Sequence, residues 1–194
     1  LCKDQKPIEA YNVVDFIKEK NYAPDIATYS ILIHGFCTTG QLDDAYKWVE
    51  NMKKDGFALN VFTFNALIHG LFKAGKFSEA GRLFDTMVHQ GCTPDVATYN
   101  LMMFYLLKAD MLWQACEVFL RCLQRGCIPD RGMYRTFVIG MLDANKRLVD
   151  TRLSESSSRM SPVFGLLKSH LRSLNEMGRH DVALKLQRDM RISD

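Results

Sequence analysis

The stretch "CTPDVATYN" at residues 92–100 reads on its face as a turn running into a helix. The same pattern stands at 22–30 as "YAPDIATYS", at 57–65 as "FALNVFTFN" and at 127–135 as "CIPDRGMYR". Each copy starts 35 residues after the one before, and a fixed period of that size signals a repeat architecture. Closing each unit on the Asp or Asn after the turn gives repeats at 26–60, 61–95 and 96–130. Residues 1–25 then read as the second helix of a truncated repeat, and 131–194 as degenerate terminal repeats that cap the array. Ala10, Ala45, Ala80 and Ala115 recur at one offset and Gly56, Gly91 and Gly126 at another, with no insertion between them.

Each repeat predicts two helices. Tyr29, Leu32, Ile33 and Phe36 are spaced i, i+3, i+4, i+7, the stripe of an amphipathic helix. Phe64, Leu67, Ile68 and Leu71 repeat it, as do Tyr99, Met102, Met103 and Leu106. A second stripe follows each, through Leu42, Ala45, Trp48, Val49 and Met52 and then Phe77, Ala80, Leu83, Phe84 and Met87. Gly40 and Gly75 stand where a left-handed residue ends the first helix. Pro94 and Pro129 stiffen the turn into the next repeat. A lone hairpin cannot bury both stripes, so neighbours must stack. The expected fold is all-α, an α-solenoid of stacked helix-turn-helix repeats.

Composition sets the outer bounds. Of 194 residues, 47% are hydrophobic and 24% charged, with a formal charge of +3; this is ordinary for a folded chain and permits a polyanionic partner without demanding one. No apolar run reaches the length of a membrane span. Cys2, Cys37, Cys92, Cys116, Cys122 and Cys127 form no C-x-x-C pair, so reduced, structural thiols are expected and no metal site or cofactor. No carboxylate pair or nucleophile–base pair stands out, and the chain reads as a non-enzyme without a small-molecule substrate. His34 and His69 occupy equivalent repeat positions, not a convergent pocket.

The string at 61–95, "VFTFNALIHGLFKAGKFSEAGRLFDTMVHQGCTPD", resembles the pentatricopeptide repeat, and the resemblance extends over almost the whole chain. No His-x-Glu with Cys-x-x-Cys accompanies it, so the chain resembles the plain class of the family. The resemblance implies a right-handed superhelix that binds single-stranded RNA, one base per repeat, in organellar RNA processing, stability or translation. It implies an organelle of a plant or other eukaryote, the mitochondrion ahead of the chloroplast. A second expectation is a scaffold subunit of an organellar ribonucleoprotein such as a mitochondrial ribosome, with little sequence readout. Membranes are not an expected partner.

The residues themselves suggest how bases are read. From the fifth residue of each repeat, the i, i+4, i+8 rows are Ser30, His34, Thr38; Asn65, His69, Lys73; and Asn100, Phe104, Lys108. None belongs to the apolar stripe, so the rows are expected on the exposed surface of the first helices, with Lys73 and Lys108 near phosphates. The last residues Asn60, Asp95 and Asp130 precede the next helix and face the same bases. Uracil and guanine present an imino N–H that suits a carboxylate, whereas adenine and cytosine present a ring nitrogen that suits an amide N–H. The family pattern then pairs Ser30 with Asn60 for A, Asn65 with Asp95 for U, and Asn100 with Asp130 for U. Bases in the family are sandwiched by the second residues of successive repeats, here Ala27, Phe62, Ala97 and Gly132, of which Phe62 offers a stacking surface. Arg135 and Lys168 replace reading residues in the terminal repeats and are expected to meet phosphates or nothing.

Overall fold

The computed structural model describes residues 24–152 and 168–189, apart from 170, 173 and 177. The helix expected over residues 1–25, except for Pro24 and Asp25, and residues 153–167 of the terminal repeats lie outside the described residues. The fold is all-α, with no strand among the described residues. Helices α1 (Ile26–Thr38) and α2 (Leu42–Lys54) form one hairpin, α3 (Val61–Lys73) and α4 (Phe77–His89) the next. α5 (Val96–Lys108) and α6 (Leu112–Gln124) form a third, followed by α7 (Arg131–Arg152) and α8 (His180–Asp189). None of these helices is long and apolar enough to cross a membrane.

The chain divides into two compact units between Pro94 and Asp95. Within the first, α1 packs on both α2 and α3, and α3 on α4. Within the second, α5 packs on both α6 and α7. The even-numbered helices bury one stripe, such as Ala45, Trp48 and Met52 of α2. α1 and α5 each meet a hairpin partner on one side and the following helix on another, so their buried arc is wider. Gly70 of α3 shows how close that approach is: a Cβ there would lie 2.9 Å from Leu42 Cδ2 and 3.0 Å from Cys37 Cβ.

Tyr29 anchors the first unit. Its ring is fully buried, 6.0 Å from the Trp48 ring and 6.1 Å from Phe57. Its hydroxyl donates to Asp55 Oδ2, just past the end of α2. Burial, followed by the Asp55 carboxylate, pushes the phenol up to about 12. In the second unit, Phe119 of α6 stacks on Phe137 of α7 with centroids 4.5 Å apart and planes 7° from parallel. Cys37, Cys116 and Cys122 are buried free thiols. Burial pushes Cys37 and Cys116 up to about 12, so both stay protonated and pack as small hydrophobes.

The hairpin turns explain the glycine series and its exception. Gly40 adopts φ +83, which lets the Gln41 N–H reach Phe36 O at 2.9 Å and the Gly40 N–H reach Cys37 O at 3.2 Å. This pair of bonds closes a helix on a left-handed residue. At the equivalent point of the third hairpin stands Asp110, with φ 56 and the same bond from Met111 N to Leu106 O at 2.9 Å. Asp tolerates this region better than most residues with a Cβ.

Candidate nucleic-acid interface

The residues that close each repeat are helix caps. The Asn60 carboxamide oxygen accepts the Thr63 N–H at 2.9 Å, and the Thr63 hydroxyl accepts the Asn60 N–H at 2.9 Å, a reciprocal capping box. Asp95 does the same with Thr98: its Oδ1 accepts the Thr98 N–H and hydroxyl, each at 2.7 Å. Asp25 caps α1 through Thr28, and that hydroxyl, followed by the Thr28 N–H, holds its carboxyl below the usual carboxylate range. Asp130 caps α7 through the Met133 N–H alone, at 2.7 Å. Helix N-termini favour Asp and Asn because the first N–H groups lack intrahelical partners. One oxygen of each side chain is therefore committed to its own helix, a role not foreseen for these positions.

The fifth residues correct a second expectation. Ser30 is buried at 4% exposure, not on an open surface. Its hydroxyl donates to Ile26 O at 2.6 Å, which leaves only lone pairs to offer. Asn65 and Asn100 are half-buried, and the Oδ1 of each is buried without a hydrogen-bond partner. The wide buried arc of the first helices takes in these polar positions. Asn65 belongs to the first compact unit and Asp95 opens the second.

Within the first unit, the structure brings Ser30 and Asn60 together. The Asn60 Nδ2 donates to Ser30 Oγ over a long 3.4 Å. Both residues line an open groove of about 640 Å³ with Asp25, Ala27, Ile31 and Phe62. Phe62 is 49% exposed, and its ring centroid lies 5.3 Å from that of His34 at 36°. The groove thus has a hydrogen-bonding floor and an aromatic wall at Phe62, with the exposed Ala27 offering little area opposite.

The remainder of the row is more engaged than free. Lys73 Nζ donates to Thr38 O at 3.0 Å, capping the carbonyl end of α1. Lys108 Nζ lies 4.7 Å over the exposed Phe104 ring. His69 titrates below the usual histidine value because burial, then Lys73 and His34, disfavour its charged form. Its surroundings thus favour the uncharged imidazole.

In the second unit no hydrogen bond joins Asn100 to Asp130. Asp130 lines a cavity of about 350 Å³ with Tyr134, Arg179 and Lys185, whereas Arg135 lines another of about 370 Å³ with Phe104, Lys108 and Ile139. Ala97 and Gly132 are exposed and small, so neither supplies a stacking wall. Lys168 is half-buried. Among the described residues no group of three His, Cys, Asp or Glu is placed to hold a metal.

Repeated helical hairpins, with first helices capped by Asp or Asn and polar residues at a fixed offset, define a helical-repeat protein. The PPR repeat family matches residues 1–38, 31–71 and 59–104, and the PPR repeat matches 97–127. The chain belongs to the pentatricopeptide repeat family. Among curated proteins no significant match is found. Among solved structures it is similar to the pentatricopeptide repeat protein PPR10 from maize, at 26% identity and TM-score 0.63, over 98% of this chain and 27% of that one. It is also similar to PPR10 in complex with an 18-nt psaJ RNA element, at 22% identity and TM-score 0.67, with the same coverage of each chain. The PPR domain of Arabidopsis thaliana protein-only RNase P 1, in complex with tRNA, matches at 15% identity and TM-score 0.59, over 88% of this chain and 93% of that one. The chain thus spans 27% of the length of PPR10, and the two matches below 25% identity bear on the fold alone.

Proposed function

We propose that the chain binds single-stranded RNA, one base per repeat, and that the groove holding Ser30 and Asn60 receives the edge of adenine. The observation that carries this reading is the polarity of the groove floor. Asn60 presents an amide N–H, and Ser30, its proton already given to Ile26 O, presents a lone pair. A ring nitrogen beside an exocyclic amino group, the edge of adenine or cytosine, matches that donor and acceptor. The solved RNA complexes of PPR10 and of the RNase P domain add the analogy of fold. The family resemblance adds the proposed role, binding in organellar RNA processing, stability or translation. The half-buried Asn65 and Asn100 are further polar groups, each with a buried amide oxygen that has no hydrogen-bond partner.

The exposed Ala27, Ala97 and Gly132 favour a second reading, a scaffold within an organellar ribonucleoprotein that touches RNA without ranking bases.

Base pairing hides the edges that Asn60 and Ser30 would contact. A short uridine tract with a central adenine should therefore bind more tightly than the same strand annealed to its complement. A pair of edge contacts contributes about 1–3 kcal/mol, so competition should show a preference of about tenfold for the single strand. Equal binding of strand and duplex would overturn base readout.

A further inference from the structure

We propose that Thr63, which is fully buried and does not line the groove, sets the base preference of the Ser30–Asn60 site by fixing which end of the Asn60 amide enters it. The inference rests on the reading proposed above. A carboxamide has two unlike ends of nearly equal size, one a donor and one an acceptor. Rotating it by half a turn would exchange an N–H for a carbonyl at the groove and invert the edge it selects.

The bonds at Thr63 forbid that rotation. A backbone N–H can only donate, so the Asn60 atom 2.9 Å from Thr63 N must be the carbonyl oxygen. The Thr63 hydroxyl adds a second tie: its proton is shared between Asn60 O at 2.8 Å and Asn60 Oδ1 at 3.2 Å, and only an oxygen can accept it there. It also accepts the Asn60 N–H, which holds the backbone from which the amide projects. With Oδ1 retained on the helix side, Nδ2 is left to face Ser30 and the groove.

The other caps lack this problem, because a carboxylate has two equivalent oxygens. Thr98 gives Asp95 the same capping box, yet turning that carboxylate over would present an acceptor either way. At Asp130 the third residue is Met133, and the backbone N–H alone suffices for the cap. Thr63 is thus a positioning residue at the one described cap whose two ends differ, and Thr98 supplies an internal control.

The test compares Thr63→Val, Thr63→Ser and Thr98→Val in the full chain, with helical content and melting temperature checked for each. The probes are short uridine tracts bearing a central adenine or guanine. The parent should favour adenine. Thr63→Val should lower the adenine-to-guanine ratio by about threefold or more, the scale of a lost hydrogen bond. Thr63→Ser, which keeps the hydroxyl, should retain the parental ratio, and Thr98→Val should leave it unchanged. Hydrogen exchange at the Asn60 side-chain amide, read by NMR without RNA, should accelerate in Thr63→Val and not in Thr63→Ser. If Thr63→Val weakens both probes equally and keeps the ratio, Thr63 is only a helix cap and the proposal falls alone. An equal ranking of adenine and guanine by the parent sinks the base-reading proposal and this one with it.

Discussion

Replacing Asn60 by Asp is expected to reverse the base preference of the first unit, from adenine to guanine, without loss of the fold. Asp caps a helix as well as Asn does, so the bond from the Thr63 N–H survives the exchange. The change falls on the other end of the side chain, where an amide N–H becomes a carboxylate oxygen. That oxygen repels the ring nitrogen of adenine and accepts the imino N–H of guanine or uracil. Ser30 can then turn its proton from Ile26 O to the new acceptor, which keeps the floor hydrogen-bonded. Discrimination of about 1–3 kcal/mol in each direction makes the combined swing in the adenine-to-guanine ratio roughly several hundredfold at the centre of the range. Competition binding of the parent and Asn60→Asp against the two probes measures it. An unchanged ranking would place Asn60 outside the readout.

The largest stability effect is expected at Phe119→Ala. The ring is 1% exposed and stacked on Phe137, itself fully buried, so the substitution removes an aromatic contact between α6 and α7. Truncating a buried Phe costs about 3–5 kcal/mol, because lost transfer energy and the remaining cavity add. Against a total stability of about 5–15 kcal/mol for a domain, that loss removes a large fraction of the second unit's stability. Hydrogen exchange of the α6 and α7 amides should accelerate by roughly two to three orders of magnitude. Phe119→Leu, which keeps most of the volume, should cost under about 1.5 kcal/mol. A Phe119→Ala chain with parental protection would show that the stack is dispensable.

The period was the most legible feature, because the same types at the same offsets require the same local structure. The apolar stripes gave the helices, and Gly40 and Gly75 marked the hairpin turns. Asp110 escaped notice there because its left-handed backbone leaves no composition signal. The capping boxes were also readable in principle. "NVFT" and "DVAT" place Thr three residues after Asn60 and Asp95, the spacing a reciprocal cap demands.

Burial at the fifth position was not legible. A stripe drawn at i, i+3, i+4 and i+7 assumes one buried face, whereas α1 packs against both α2 and α3. The wider arc takes in Ser30, which satisfies its proton on its own helix and so tolerates burial. The ties of Lys73 to Thr38 and of Lys108 to Phe104 depend on side-chain reach, which spacing does not specify.

The central claim is that the groove floor formed by Ser30 and Asn60 receives a base edge. Its most direct test is NMR of the isotope-labelled chain titrated with short uridine tracts carrying a central adenine, with the duplex as control, since NMR reads site occupancy even when affinity is weak. The account predicts that the Asn60 side-chain amide resonances move with the adenine strand, together with the Phe62 ring signals, and stay in place with the duplex. Asn60 and Phe62 signals that remain fixed while the strand shifts resonances elsewhere on the chain would contradict it.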